Sequence, residues 1–161
     1  MRVEQYDRQA ATAYAYEWAF KRNPRYYNFD KIGGDCTNFV SQCLFAGSGV
    51  MNHKKVYGWY YYSASNRAPA WTGVAYLYNF LIDNKESGPF AEETSRDYVQ
   101  PGDILQLGNV HGNFYHSQII VASDQDEIFT SAHSDDAYMR PLSTYNYATV
   151  RFLKILGVRK Y

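Results

Sequence analysis

The chain has 161 residues, 46% of them hydrophobic, which fits one domain (residues 1–161) around one sizeable core. Its 16 Lys+Arg balance 16 Asp+Glu, so no long-range field directs it to nucleic acid or an anionic membrane. Two cysteines, Cys36 and Cys43, exclude a disulfide framework; on one helix they would stand about 10 Å apart along the axis, too far to bridge.

In chain order, the opening twenty residues are interrupted by Glu4, Asp7, Arg8 and Glu17 and offer no signal-peptide or membrane-spanning stretch. Action outside a cell would then need an upstream segment or release by lysis. Ala10, Tyr14 and Trp18 recur at helical spacing and predict a helix over 7–19, stopped by Asn23-Pro24. Gly33-Gly34 permits a sharp turn, after which Asp35 is an expected N-cap. Cys36, Phe39, Val40, Cys43 and Leu44 form one apolar stripe, and Gly47 is the expected stop.

Residues 49–70 lack a clean period and predict a long aromatic loop. Val74, Leu77, Tyr78 and Leu81 predict a third helix over 71–82, closed by Ser87-Gly88-Pro89. Beyond the turn at Pro101-Gly102-Asp103, residues 104–107, 115–121, 127–132 and 149–156 read as strands. Helices followed by strands argue for an α+β domain with an antiparallel sheet packed against helices. With 17 Tyr, nine Phe and three Trp, part of the aromatic surface is expected to be exposed, a surface suited to sugars, peptides or protein partners.

The chemistry centres on Cys36. A helix N-terminus favours the thiolate through its unpaired N–H groups, and the Cys36 N–H could help hold the oxyanion of an acyl-transfer intermediate. Cys43, deeper on the stripe, has neither advantage. His116, at the start of the apolar strand His116-Ser117-Gln118-Ile119-Ile120-Val121, is the candidate base. His133 ends the next strand and could orient His116; Asp135 or Asp136 are alternatives for that third role, with Asp35 in support. A zinc site of Cys36, Cys43, His116 and His133 lacks the close ligand pairs such a site uses, so neither metal nor cofactor is expected.

The segment Gly33-Gly34-Asp35-Cys36-Thr37-Asn38-Phe39-Val40-Ser41-Gln42 resembles the bacterial putative-amidase domain, a branch of the papain-like cysteine peptidases related to NlpC-type and CHAP-type cell-wall hydrolases. The resemblance extends to Asn23-Pro24-Arg25-Tyr26-Tyr27, Trp59-Tyr60-Tyr61, Trp71, Pro101-Gly102-Asp103, His116-Ser117-Gln118-Ile119-Ile120-Val121 and His133-Ser134-Asp135. It implies a papain-like fold, Cys36 as nucleophile, His116 as base and a polar third residue on the next strand. It also implies a peptidoglycan amidohydrolase, either an N-acetylmuramoyl-L-alanine amidase or a stem-peptide endopeptidase. Such an enzyme would act in the cell wall, alone or joined to a wall-binding domain. Tyr27, Trp59, Tyr60 and Ser117 are then the substrate-binding candidates. The alternative is a non-catalytic module binding wall glycan or protein on the same fold, with the Cys-His pair vestigial.

Overall fold

A computed structural model describes residues 1–161. The short strand β1 (Arg2–Glu4) precedes α1 (Arg8–Trp18), whose first turn is capped by Asp7 Oδ1 accepting the Ala10 N–H at 2.9 Å. The face of α1 that packs is Ala11, Ala15 and then Ala19, with Tyr14 and Trp18 at its margin. Small residues there let α1 approach α2 (Cys36–Ser48) closely. Nearly all of α2 is buried, which is what a helix covered by helices and sheet together requires. It runs one residue past Gly47, and Gly49, left-handed at φ 73°, ends it.

The aromatic segment is more ordered than its lack of period suggests. It holds a hairpin of β2 (Tyr61–Ser63) and β3 (Asn66–Arg67) and the one-turn helix α3 (Pro69–Thr72). Gly73 is extended and separates α3 from α4 (Val74–Asp83), so the expected single third helix is two. The break turns Trp71 fully into the core.

The sheet has seven antiparallel strands, ordered β1-β9-β5-β6-β7-β8, with β4 also on β9. They are β4 (Gly88–Thr94), β5 (Ile104–Gly108), β6 (Phe114–Ser123), β7 (Ile128–Ala132), β8 (Ala137–Pro141) and β9 (Thr149–Lys160). Strands β1, β4 and β8 escape the sequence reading because each draws its order from a neighbouring strand more than from its own pattern. One sheet face, with Ile104, Ile119, Leu153 and Ile155, joins the main core beneath the helices. The other, with Leu105, Leu107, Ile120, Ile128 and Phe152, forms a second core covered by Val99, Leu142, Tyr145 and Tyr147. The domain is therefore α+β, with its helices on one face of an antiparallel sheet.

Candidate active site around the start of α2

Asp35 occupies the N-cap position of α2, but its carboxylate does not cap the helix. Oδ1 accepts the Phe29 N–H at 2.8 Å and the Asn38 amide at 2.9 Å, and Oδ2 takes His133 Nδ1 at 2.6 Å. Burial pushes this carboxyl up, but the hydrogen bonds from His133, Asn38 and the Phe29 N–H outweigh it and hold it below the ordinary range. With the side chain so engaged, the N–H groups of Cys36, Thr37 and Asn38 carry no hydrogen bond within the protein. Three free donors thus surround the first residue of the helix, and that residue is Cys36.

Cys36 is 8% exposed, and its Sγ contacts Thr37 Oγ1 at 3.7 Å. Thr37 Oγ1 also meets Ser117 Oγ at 2.9 Å, which fixes the first turn of α2 on β6. Ser117 in turn accepts from Gln106 Nε2 at 3.1 Å, and that amide also donates to the Val74 carbonyl at 2.9 Å. Upstream, Gly34 lies at φ 94°, and a Cβ there would stand 3.2 Å from Ser134 Oγ, the atom that accepts the Asp35 N–H at 3.1 Å. Glycine is needed for both reasons. The crossing turn is itself unusual, with Ser134 and Asp135 both left-handed at φ 64° and 70°. Cys43 is wholly enclosed, and burial pushes its thiol well up.

His116 follows a different face. Strand alternation puts Ser117 and Ile119 toward α2, whereas His116 shares parity with Gln118 and Ile120. Its ring lies 6.3 Å from that of Tyr145, which covers the second core. The Cys36 thiol and the His116 imidazole are not hydrogen-bonded; the residue touching the start of α2 is its chain neighbour Ser117. Burial lowers His116 to about 4, with Asp135 drawing it up and Arg140 pressing it down. The ladder between β5 and β6 is irregular at Leu107/Gly108, beside His116.

His133 does not orient His116. Its Nδ1 is held by Asp35 and its Nε2 by the Trp18 carbonyl at 2.8 Å, and its ring stacks on Phe39 at 4.0 Å. Both nitrogens are thus committed to joining α1, α2 and β7. Asp136 is paired with Arg22 at 2.9 Å, and Arg22 also holds Asp30. Asp135, whose side chain is 91% exposed and 3.5 Å from Arg140, is the acidic group whose charge reaches His116. Of the expected substrate contacts, Tyr27 is exposed, beside a groove of about 490 Å³ that also involves Arg25, Tyr61 and Tyr62. Trp59 is core, its Nε1 donating to Ser41 Oγ at 3.0 Å, and Tyr60 and Ser117 are buried. Their aromatic or hydroxyl character carried no sign of which way they face. No three His, Cys, Asp or Glu side chains converge as a metal-binding group.

Thr37, Ser134 and Arg22 tie the helix start to the sheet and the loop, and the sequence assigns none of them a role, although Thr37 and Ser134 stand in the segments that carry the resemblance. Their closeness to Cys36 or His133 along the chain could have drawn attention to the first two.

Residues 5–156 match the family described as "Putative amidase domain". Among curated sequences, an "Uncharacterized protein YhbB" of Bacillus subtilis (strain 168) is 35% identical over 144 residues, 86% of this chain and 45% of the relative. The chain thus spans less than half the length of that relative. No solved structure matches.

Proposed function

The chain belongs to the putative amidase domain family, and from that premise we propose that it hydrolyses amide bonds with Cys36 as nucleophile. The observation carrying this reading is the uncapped start of α2, where a thiol sits among three free N–H donors because Asp35 is engaged elsewhere. Such donors favour negative charge where a tetrahedral intermediate develops it, and removing one such donor commonly costs about 10²–10³ in rate.

In this mechanism Cys36 Sγ attacks the substrate carbonyl carbon and its proton passes to His116. The oxyanion rests on the N–H groups at the start of α2. Collapse breaks the C–N bond, the amine leaves with the proton from His116, and water then hydrolyses the thioester by the same route in reverse order of roles. His116 must swing around the end of β6 to meet the thiol, beside the irregular pairing at Leu107/Gly108. Catalytic contacts commonly tighten only when substrate is bound. Asp135, whose charge draws the imidazole toward its protonated form, takes the assisting role in this reading.

The substrate class follows from the resemblance to NlpC-type and CHAP-type hydrolases: peptidoglycan, cut at the sugar–peptide junction or within the stem peptide, outside the cytoplasm. Tyr27 and Tyr62 beside the groove supply exposed aromatic surface for it. A second reading, a non-catalytic wall-glycan or protein-binding module, draws on the separation of thiol and imidazole. The deciding experiment is release of amino groups from purified peptidoglycan, with fragments identified by mass spectrometry. Release by the intact chain, lost by at least 10³-fold in both Cys36→Ala and His116→Ala, supports the hydrolase. Release from no wall type, with the chain still sedimenting with walls, favours the binding module.

A further inference from the structure

Every buried side-chain polar atom without a hydrogen bond belongs to one of three residues: both amide atoms of Gln118, Thr130 Oγ1 and Tyr145 OH. Buried polar groups are normally paired, so a concentration of exceptions needs an explanation. These three are neighbours on the face of the sheet away from the helices. Gln118 is two residues from His116 and shares its side of β6. Thr130 pairs with Ile120 on β7, diagonal to Gln118, and the Tyr145 hydroxyl comes within reach of Thr130 and Arg140 in a geometry that completes no well-formed bond, its ring 6.3 Å from that of His116.

Gln118 and Thr130 are fully enclosed. Between them the three side chains present an amide, with two donors and its acceptor oxygen, and two hydroxyls that can donate or accept. That mixture suits a small neutral molecule with both capacities and no charge, and water meets it with two to four bonds. The charged groups near His116 are Asp135 in the turn before β8 and Arg140 on β8; its partner on β5 is the apolar Leu107.

We propose that Gln118, Thr130 and Tyr145 form an internal water-binding site that hydrates the His116 imidazole, making Gln118 and Tyr145 positioning residues for it. The inference rests on reading His116 as the base. An imidazole that accepts the thiol proton must carry a positive charge for part of the cycle, and neighbouring apolar groups resist that. Protein groups alone hold His116 near 4, too low for an efficient base at neutral pH. Water held by the orphaned amide and hydroxyls would offset that burial.

The test follows the His116 C2–H resonance against pH in the whole 161-residue chain, in wild type, Gln118→Met and Tyr145→Phe. Both substitutions keep size while removing polar atoms. The expected result is a wild-type midpoint above 4 that falls by about one pH unit in Gln118→Met and by a smaller step in Tyr145→Phe. Equal midpoints in wild type and the variants, or a wild-type midpoint already near 4, would overturn the proposal. Should Gln118→Met fail to fold, Tyr145→Phe, at a partly exposed position, carries the comparison. The titration needs no turnover, so a midpoint shift in a chain that hydrolyses nothing would uphold the water site and sink the hydrolase reading instead.

Discussion

Cys36 and Cys43 separate by role because one begins α2 and the other lies seven residues inward, fully enclosed. Cys36→Ala is expected to abolish hydrolysis while leaving thermal unfolding nearly unchanged. Cys43→Ala is expected to lose about 1 kcal/mol of stability, read by urea unfolding, and to keep its activity per folded molecule. Equal loss of activity from both, without unfolding, would contradict the assignment. His116 gives a pH prediction. Burial lowers its native value from 6.5, to about 4 where protein groups act alone and less far where water hydrates the ring, so between the native and unfolded values the unfolded chain binds the extra proton. Stability is therefore complete above about 6.5 and declines as pH falls toward the native midpoint, by at most on the order of 3 kcal/mol. Urea midpoints across that range should fall in wild type and less steeply in His116→Gln.

At the scale of elements, the site depends on how α2 is held at its start. Asp35 joins the Phe29 N–H, Asn38 and His133, so the loop before α2, the helix and β7 meet at one carboxylate. Asp35→Asn removes the charge facing an enclosed histidine and should cost about 3 kcal/mol, the scale of breaking a buried pair. Because the amide keeps one acceptor oxygen and turns a donor group toward a partner the carboxylate accepted from, turnover should fall further than the folded fraction does. A variant as stable and active as wild type in denaturation and amine-release assays would show that this junction is dispensable. The opposite end of the sheet has a comparable device: enclosed Asp103 accepts from Arg8 at 2.8 Å and from the Ile155 N–H at 2.9 Å, joining α1 to β9.

For the whole molecule, one sheet has two unlike faces. The helix-covered face carries the larger core and the start of α2; the other carries the smaller core, His116 and the orphaned polar groups. Catalysis as proposed must cross from one to the other at the end of β6. No helix of the chain is long and apolar enough to cross a membrane.

The sequence by itself determined the α+β order, the limits of α1 and α2 within a residue or two, and the strands β5, β6, β7 and β9. Their periodicities are local and strong. It also placed Cys36 at a helix start, since Gly33-Gly34 and the apolar stripe are short-range signals. Tertiary structure decided the rest. Asp35 reads as a cap, yet its partners His133 and Phe29 come from a distant strand and a folded-back loop, and only packing brings them together. Trp59 and Tyr60 read as groove residues but fill the interior, because aromatic character does not encode direction. His133 looked like a partner for His116 from strand adjacency, but the alternation of side chains across a pleated sheet sends the two to opposite faces. Facing is a property of register and of the layers that cover each side, and neither is written in a single strand.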